Sequence, residues 1–328
     1  MSPIINVAIH SSQFPESVQA DLRSSLRRRV INHKFHYDSY KQTQKWLELH
    51  QACSPSRTDS QCGACYDAAF AAAVKRSRSA AAHLIGLGCG GGQKDARLLG
   101  LLKERGQRLF YTPVDASMPM VLVARQTASS AVSESHPLVC DLSVASDLPS
   151  VFANHASPDA HRLITFFGMM PNFEPQQVLP KLAALLREDD LLLLSANLAP
   201  GNDYATGVAR ILPLYDNSLT TDWLLTFLFD LGVERTDGAV EWRIEPCPSG
   251  NDLLRVAASF RFDSPQKLRV SSEEFRFGAG EKIGLFFSYR YTPEQVRNQL
   301  NKHRVLVEDQ WVTDSGEEGV FLCRRLGG

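Results

Sequence analysis

From Ala81 to Leu198 the chain alternates short apolar runs with amphipathic stretches. AAHLIGLG, RLFYTPVD, the run around His136 to Cys140, HRLITFFG and DLLLLSANL read as strands. Between them, segments from Asp95 to Arg105, from Pro119 and from Pro175 to Leu186 carry apolar residues at helical spacing. Runs that are apolar throughout suit strands covered on both faces, so the pattern predicts βαβ units and a doubly wound parallel sheet, an α/β fold. Upstream, residues 16–33 and 37–52 have helical periodicity, CSPSRTDSQCG is a turn-rich break, and a further helix starts at Ala64. After Pro200 the character changes. A long helical segment, ATGVARILPLYDNSLTTDWLLTFLFDLGV, leads into VEWRIEPC, LLRVAASFRF, QKLRVSS and KIGLFFSYRY, which alternate in polarity between turn residues and read as antiparallel. The last helix, Pro293 to Lys302, precedes VLVEDQWV and GVFLCRRL, expected to rejoin the first sheet as an edge hairpin. The expected partition is a nucleotide-type core over 61–201 and 292–328, interrupted by an α+β unit over 202–291 that packs with residues 1–60.

Composition narrows the function classes. The 328 residues are 44% hydrophobic, enough for large cores, and 35 basic against 36 acidic residues give a net charge of -1, so no global field favours a polyanion. No nucleic-acid partner is expected. No apolar run approaches the ~20 residues of a membrane span and the N-terminus has no export pattern, so a cytoplasmic protein with no membrane partner is expected, for which a monomer would suffice. Seven scattered cysteines argue against a disulfide framework, and the Cys62–Cys65 pair has no second pair to complete a metal site, so no metal is expected.

The chemistry concentrates in LIGLGCGGGQKDARLL, with five glycines between Gly86 and Gly92. A glycine-rich turn after the first strand lets a ligand touch the main chain, and the following helix points its first amides at the same place. Alone, this could equally be a structural turn. Asp115 ends the second strand, where a carboxylate can accept from both hydroxyls of a ribose, and Asp141 ends the third, where one can receive an adenine amine. Either could be a helix N-cap. Together, behind the glycine loop, they favour an adenosine ligand, and the lack of a spaced third glycine favours S-adenosylmethionine (SAM) over NAD.

Longer motifs now carry a resemblance. FHYDS, GLGCGGGQKDARLL, YTPVDAS, FFGMMPNFEP, PLYDNS and GEKIGLFFSYRY resemble motifs of the histidine Nα-methyltransferases of ergothioneine biosynthesis and of fungal relatives that methylate dimethylallyltryptophan, from about Phe35 to the end. The resemblance implies a Rossmann-type class I SAM-dependent methyltransferase core with an inserted substrate-binding domain. It also implies that Gly88, Gly90 and Lys94 line the cofactor's methionine end, with Asp115 at its ribose and Asp141 at its adenine. Tyr37, Gly168, Asn172 and Tyr215 would surround the substrate's amine and carboxylate, with Tyr37 and Asn172 orienting the reacting amine as the catalytic pair.

Three departures bear on the substrate. The family's GSTIGN segment is here GMMPN, and the tyrosine before its PTR motif is Ser54. On KIGLFFSYRY, period two puts Phe286, Ser288 and Arg290 on one face. The first two positions are a glutamate and a serine that bind imidazole in the histidine enzymes; Ser288 is retained, and Phe286 replaces the carboxylate. A histidine ring there would leave an N–H unpaired, at about 1–3 kcal/mol when buried. The expected activity is N-methylation of an amino acid or related small amine with an apolar or aromatic side group, with a noncatalytic SAM- or small-molecule-binding relative as the alternative.

Overall fold

The structure, a computed structural model, describes residues 4–155 and 160–327. Its strands are β1 (Ala8–Ile9), β2 (Ala81–Leu87), β3 (Arg108–Asp115), β4 (Glu134–Ser135), β5 (Leu138–Val139), β6 (His161–Phe166) and β7 (Leu191–Asn197). Beyond Pro200 come β8 (Gly238–Pro246), β9 (Leu254–Phe262), β10 (Gln266–Val270), β11 (Glu273–Phe277) and β12 (Lys282–Arg290), and the chain closes with β13 (Val305–Val312) and β14 (Glu318–Arg325). The main sheet runs β1-β5-β3-β2-β6-β7-β14-β13, with β4 beside β3. Neighbours are parallel as far as β7, and β14 is antiparallel to both β7 and β13, so the last two strands form the expected edge hairpin. Strand order reverses at β2, flanked by β3 and β6, which opens a crevice at its carboxyl end.

The apolar runs explain this sheet. Every residue of β2 after Ala81 and all of β7 before Asn197 are buried, with one hydrophobic cluster on each face: Ile85, Val114, Ile164 and Leu194 in one, Leu84, Tyr111, Leu163 and Leu193 in the other. The smaller sheet, β12-β9-β8, is antiparallel and packs with the N-terminal segment, burying Leu26, Ile31 and Phe35 with Trp223, Phe260 and Leu285. Val30 bridges to Gly284, and Ile31 N–H donates to Gly284 O over 2.8 Å. The excursion from the main sheet begins and ends at one point. Leu198 bridges to Tyr291, Tyr291 N–H donates to Asn197 O (3.0 Å) and Ala199 N–H donates to Tyr291 O (2.9 Å).

Four details differ from the pattern reading. Residues 8 and 9 pair with β5 in the main sheet, although the sequence groups residues 1–60 with the insertion. The helix expected from Ala64 starts at Ser60, because Asp59 accepts a hydrogen bond from Gln61 N–H and caps it. Cys62 and Cys65 therefore lie within a helix, and all seven cysteines are free thiols. The long helical segment after Pro200 divides into Tyr204–Tyr215 and Ser218–Asp230, the second capped by Asn217. Strand β11, which the pattern does not announce, pairs with β10 across a turn in which Ser271 takes a φ of 55°. Among the described residues no helix is long and apolar enough to cross a membrane.

Candidate functional site

The carboxyl ends of β2, β3 and β6 and the segment around residues 32–57 enclose a cleft of about 520 Å³, within the range of small-molecule sites. Gly88, Gly90, Lys94, Asp115 and Asp141 all line it, as do Tyr37, Gly168 and Asn172.

The glycine loop leaves β2 with Gly88 at a φ of 64°, in the left-handed region that side chains disfavour. A Cβ on Gly88 would also come within 2.4 Å of the Met169 sulfur, so residue 88 is fixed both by its turn and by the GMMPN segment above it. The helix Gln93–Glu104 follows, anchored by buried Asp95, which accepts from Tyr111 Oη–H and Thr165 Oγ1–H, each over 2.7 Å. Burial raises the Asp95 carboxyl to about 6 against those two bonds.

Asp115 accepts from Gly90 N–H (3.2 Å) and Ser117 N–H (3.0 Å). Burial lifts it to about 6, and the backbone amides around it pull the other way. Asp141 Oδ1 accepts from Ser143 N–H at 2.8 Å and Ser143 Oγ–H at 2.5 Å. Its Oδ2 is buried and lies 3.0 Å from Lys34 Nζ as an ion pair, without the geometry of a hydrogen bond. That oxygen still has room for a donor. Lys94 Nζ donates to Tyr66 Oη over 2.8 Å and stands 4.2 Å above the Tyr66 ring, and the Tyr66 hydroxyl in turn donates to Glu318. Burial lowers Lys94 below the ordinary lysine value, with the Glu318 charge the main offset.

On the opposite wall, Tyr37 packs edge-on to Trp46 with ring centroids 5.9 Å apart. Burial, then the charge of Asp115, push its phenol above the ordinary value, so it remains protonated at neutral pH. Asn172 Nδ2 donates to Phe287 O over 2.8 Å, which orients the amide and leaves its oxygen as the available acceptor. Gly168 N–H donates to Ser195 Oγ over 2.9 Å.

Tyr215, Phe286 and Ser288 do not line the cleft; they form the layer behind it. Ser288 Oγ accepts from Tyr215 Oη–H (2.9 Å) and from Asn197 Nδ2 (3.2 Å), and Asn197 does reach the cleft. Arg290 donates to Tyr215 Oη over 2.8 Å. Phe286 stacks on His33 at 5.2 Å and 17°, with Tyr215, Trp223 and Trp242 rings around it. His33 lines the cleft, accepts from Phe287 N–H over 3.2 Å, and is driven by burial to about 3, so it is neutral at physiological pH. The shared face of Phe286, Ser288 and Arg290 holds despite a bulge between Gly284 and Phe286, since all three meet Tyr215.

A model of the family described as "histidine-specific methyltransferase, SAM-dependent" matches residues 18–325. The chain belongs to this family. It is therefore a SAM-dependent methyltransferase, and the order of its main sheet is the class I methyltransferase order. The enzyme is 24% identical over 299 residues to the histidine N-alpha-methyltransferase of Mycolicibacterium smegmatis (strain ATCC 700084 / mc(2)155), covering 83% of this chain and 82% of that one. Among solved structures it is similar to the CcbJ methyltransferase of Streptomyces caelestis, at 12% identity and a TM-score of 0.39, over 80% of this chain and 94% of that one. It is also similar to SAM-bound CalS10, an amino pentose methyltransferase of Micromonospora echinaspora, at 14% identity and a TM-score of 0.36, over 80% and 92%.

The methyltransferase's cleft suits SAM on its own features: a buried carboxylate oxygen short of a donor, a second buried carboxylate beside the glycine loop, and a cation in reach of an acidic ligand end. The sequence pattern does not point to His33, Lys34, Trp46, Tyr66, Asn197 or Glu318, which all line the same cleft. Of these, His33 and Lys34 had a local signal, on the turn that ends at Tyr37.

Proposed function

We propose that the methyltransferase transfers a methyl group to the amine of an amino acid or related small amine with an apolar or aromatic side group, and that histidine is a poor substrate. Residues 61–201 with 292–328 hold the cofactor in this reading, and residues 1–60 with 202–291 hold the substrate. Gly88, Gly90 and Lys94 face the methionine end, Asp115 the ribose and Asp141 the adenine. When bound, SAM supplies an electrophilic methyl on a sulfonium.

The protein's contribution is placement of the amine. The Asn172 oxygen, left open by the bond from its amide to Phe287, accepts from the amine and stabilises positive charge developing on it. Tyr37 orients from the other side, and its protonated phenol is no base, so the amine must arrive neutral.

The observation that carries the selectivity is the aromatic layer behind the cleft: Phe286, among the rings of Tyr215, Trp223 and Trp242, backs His33, the member of the layer that reaches the cleft. These are aromatic faces, where the histidine enzymes offer a carboxylate. The unpaired buried nitrogens of this layer include Trp242 Nε1, Arg290 Nε and His33 Nδ1; with His33 Nε2 accepting from Phe287 N–H, all three are donors, and none replaces the carboxylate as an acceptor for an imidazole N–H. The test compares kcat/KM for histidine with that for phenylalanine and tryptophan. The unmodified enzyme is expected to prefer the aromatic amino acids by tenfold or more, about 1.4 kcal/mol, and Phe286→Glu should move the ratio toward histidine. Efficient methylation of histidine by the unmodified enzyme would overturn the reading.

A further inference from the structure

Lys34 is a lysine with its ammonium in the interior: the residue is 8% exposed. Its Nζ lies 2.8 Å from Asp21 Oδ2 and 3.0 Å from Asp141 Oδ2. The three groups come from the helix Pro15–Arg28, the turn His33–His36 and the end of β5. Asn32 Nδ2 adds a 2.8 Å bond to Asp21 Oδ2. Burial alone would lower the lysine, and the two aspartates outweigh it and raise it above the ordinary value. A triad so far from solvent is a costly way to join two segments, because apolar residues do that as well or better. Its placement points to a second use.

Asp141 Oδ1 is committed to Ser143, which leaves Oδ2, beside Lys34, as the oxygen with capacity for a ligand. A carboxylate oxygen held in place by an ammonium accepts hydrogen bonds and donates none. It meets a purine with an amino group at position 6. It has nothing to offer a purine with an oxygen there. We infer that Lys34 is a positioning residue for the cofactor's purine, fixing the Asp141 Oδ2 oxygen where it accepts from the ring's 6 position and so making the site select a 6-amino over a 6-oxo ring. The N-terminal segment thus takes part in reading the cofactor. Ser12 Oγ accepts from Asp141 N–H (3.0 Å), and Gln13 Nε2 donates to Ala116 O (2.5 Å), on either side of the same corner.

This inference rests on the placement of Asp141 at the purine, and the two separate cleanly by experiment. Calorimetry would measure binding of S-adenosylhomocysteine and of its deaminated analogue S-inosylhomocysteine, with no substrate and no turnover. The unmodified protein is expected to favour the adenosine compound by about tenfold to a hundredfold, the range of one charge-assisted hydrogen bond. Lys34→Met should collapse that preference toward equality, and Lys34→Arg should restore most of it. A purely structural role would weaken both ligands together and leave their ratio intact, which would overturn the inference. So would a ratio near one in the unmodified protein, a measurement that needs no variant to fold. Asp141→Ala binding S-adenosylhomocysteine at full affinity would instead overturn the placement of Asp141.

Discussion

Asp115 carries two opposite pH trends. Its carboxyl is raised to about 6 by burial, above the ~3.9 of an unfolded aspartate. Its contribution to stability is therefore full below that unfolded value and is lost as pH rises through about 6. With Asp115 at the ribose, as proposed, the charged form is the stronger acceptor for the two hydroxyls, so ligand affinity falls as pH drops through the same interval. Affinity for S-adenosylhomocysteine should decline between pH 7 and pH 5, by up to about tenfold per pH unit at the acid end, while the ligand-free protein does not lose the stability that this group provides. Asp95 has a similar value, but Tyr111 and Thr165 occupy its oxygens. Asp115→Asn should accordingly abolish most of the pH dependence of binding, as calorimetry at several pH values would show; an unchanged profile would remove Asp115 from the ribose.

Among elements, the contact between the helices Gln93–Glu104 and Met118–Ala128 is set by one residue. Gly92 precedes the first helix at a φ of 72°, and a Cβ there would stand 2.6 Å from Ala124 Cα in the second. Gly92→Ala is expected to cost about 1–3 kcal/mol through strain and overpacking, read as a lower urea midpoint, and a loss under about 0.5 kcal/mol would mean the helices slide apart freely. Local pattern made such elements readable where burial is uniform, as in AAHLIGL and LLLLSAN. It failed where a single residue decides: Ser271 turns β10 into β11 without the glycine or asparagine that announces a hairpin, and Asn217 starts a new helix where hydropathy would continue the old one. The site divides in the same way. Gly88, Asp115 and Asp141 sit at strand ends, and their positions follow from counting. Glu318 reaches Tyr66 across 252 positions and Lys34 reaches Asp141 across 107, and such partnerships exist only once the chain has folded.

At the scale of the molecule, the first residues act as a clasp on the main sheet. Ala8 and Ile9 pair with β5, His10 Nε2 lies 2.8 Å from Asp147, and Ser12 and Gln13 hold the corners beside the two strand-end aspartates. Removing residues 1–13 should weaken S-adenosylhomocysteine binding by about tenfold, in keeping with one or two lost hydrogen bonds. Amide exchange in β2, β6 and β7 should stay slow, since those strands draw their protection from other contacts. Faster exchange throughout the sheet would show that the clasp maintains the whole fold. The bridge between Leu198 and Tyr291 acts at this scale too. It brings the two exits of the intervening chain side by side, so the core meets that chain as a loop whose ends are already closed, and the entropy of closure grows only slowly with loop length. A longer, shorter or unrelated insert could be carried at these two residues without re-registering a single strand of the sheet. Under the proposed partition, the larger part of the substrate side can therefore change by exchange of one contiguous piece of chain, leaving the methyl donor's side of the cleft as it was.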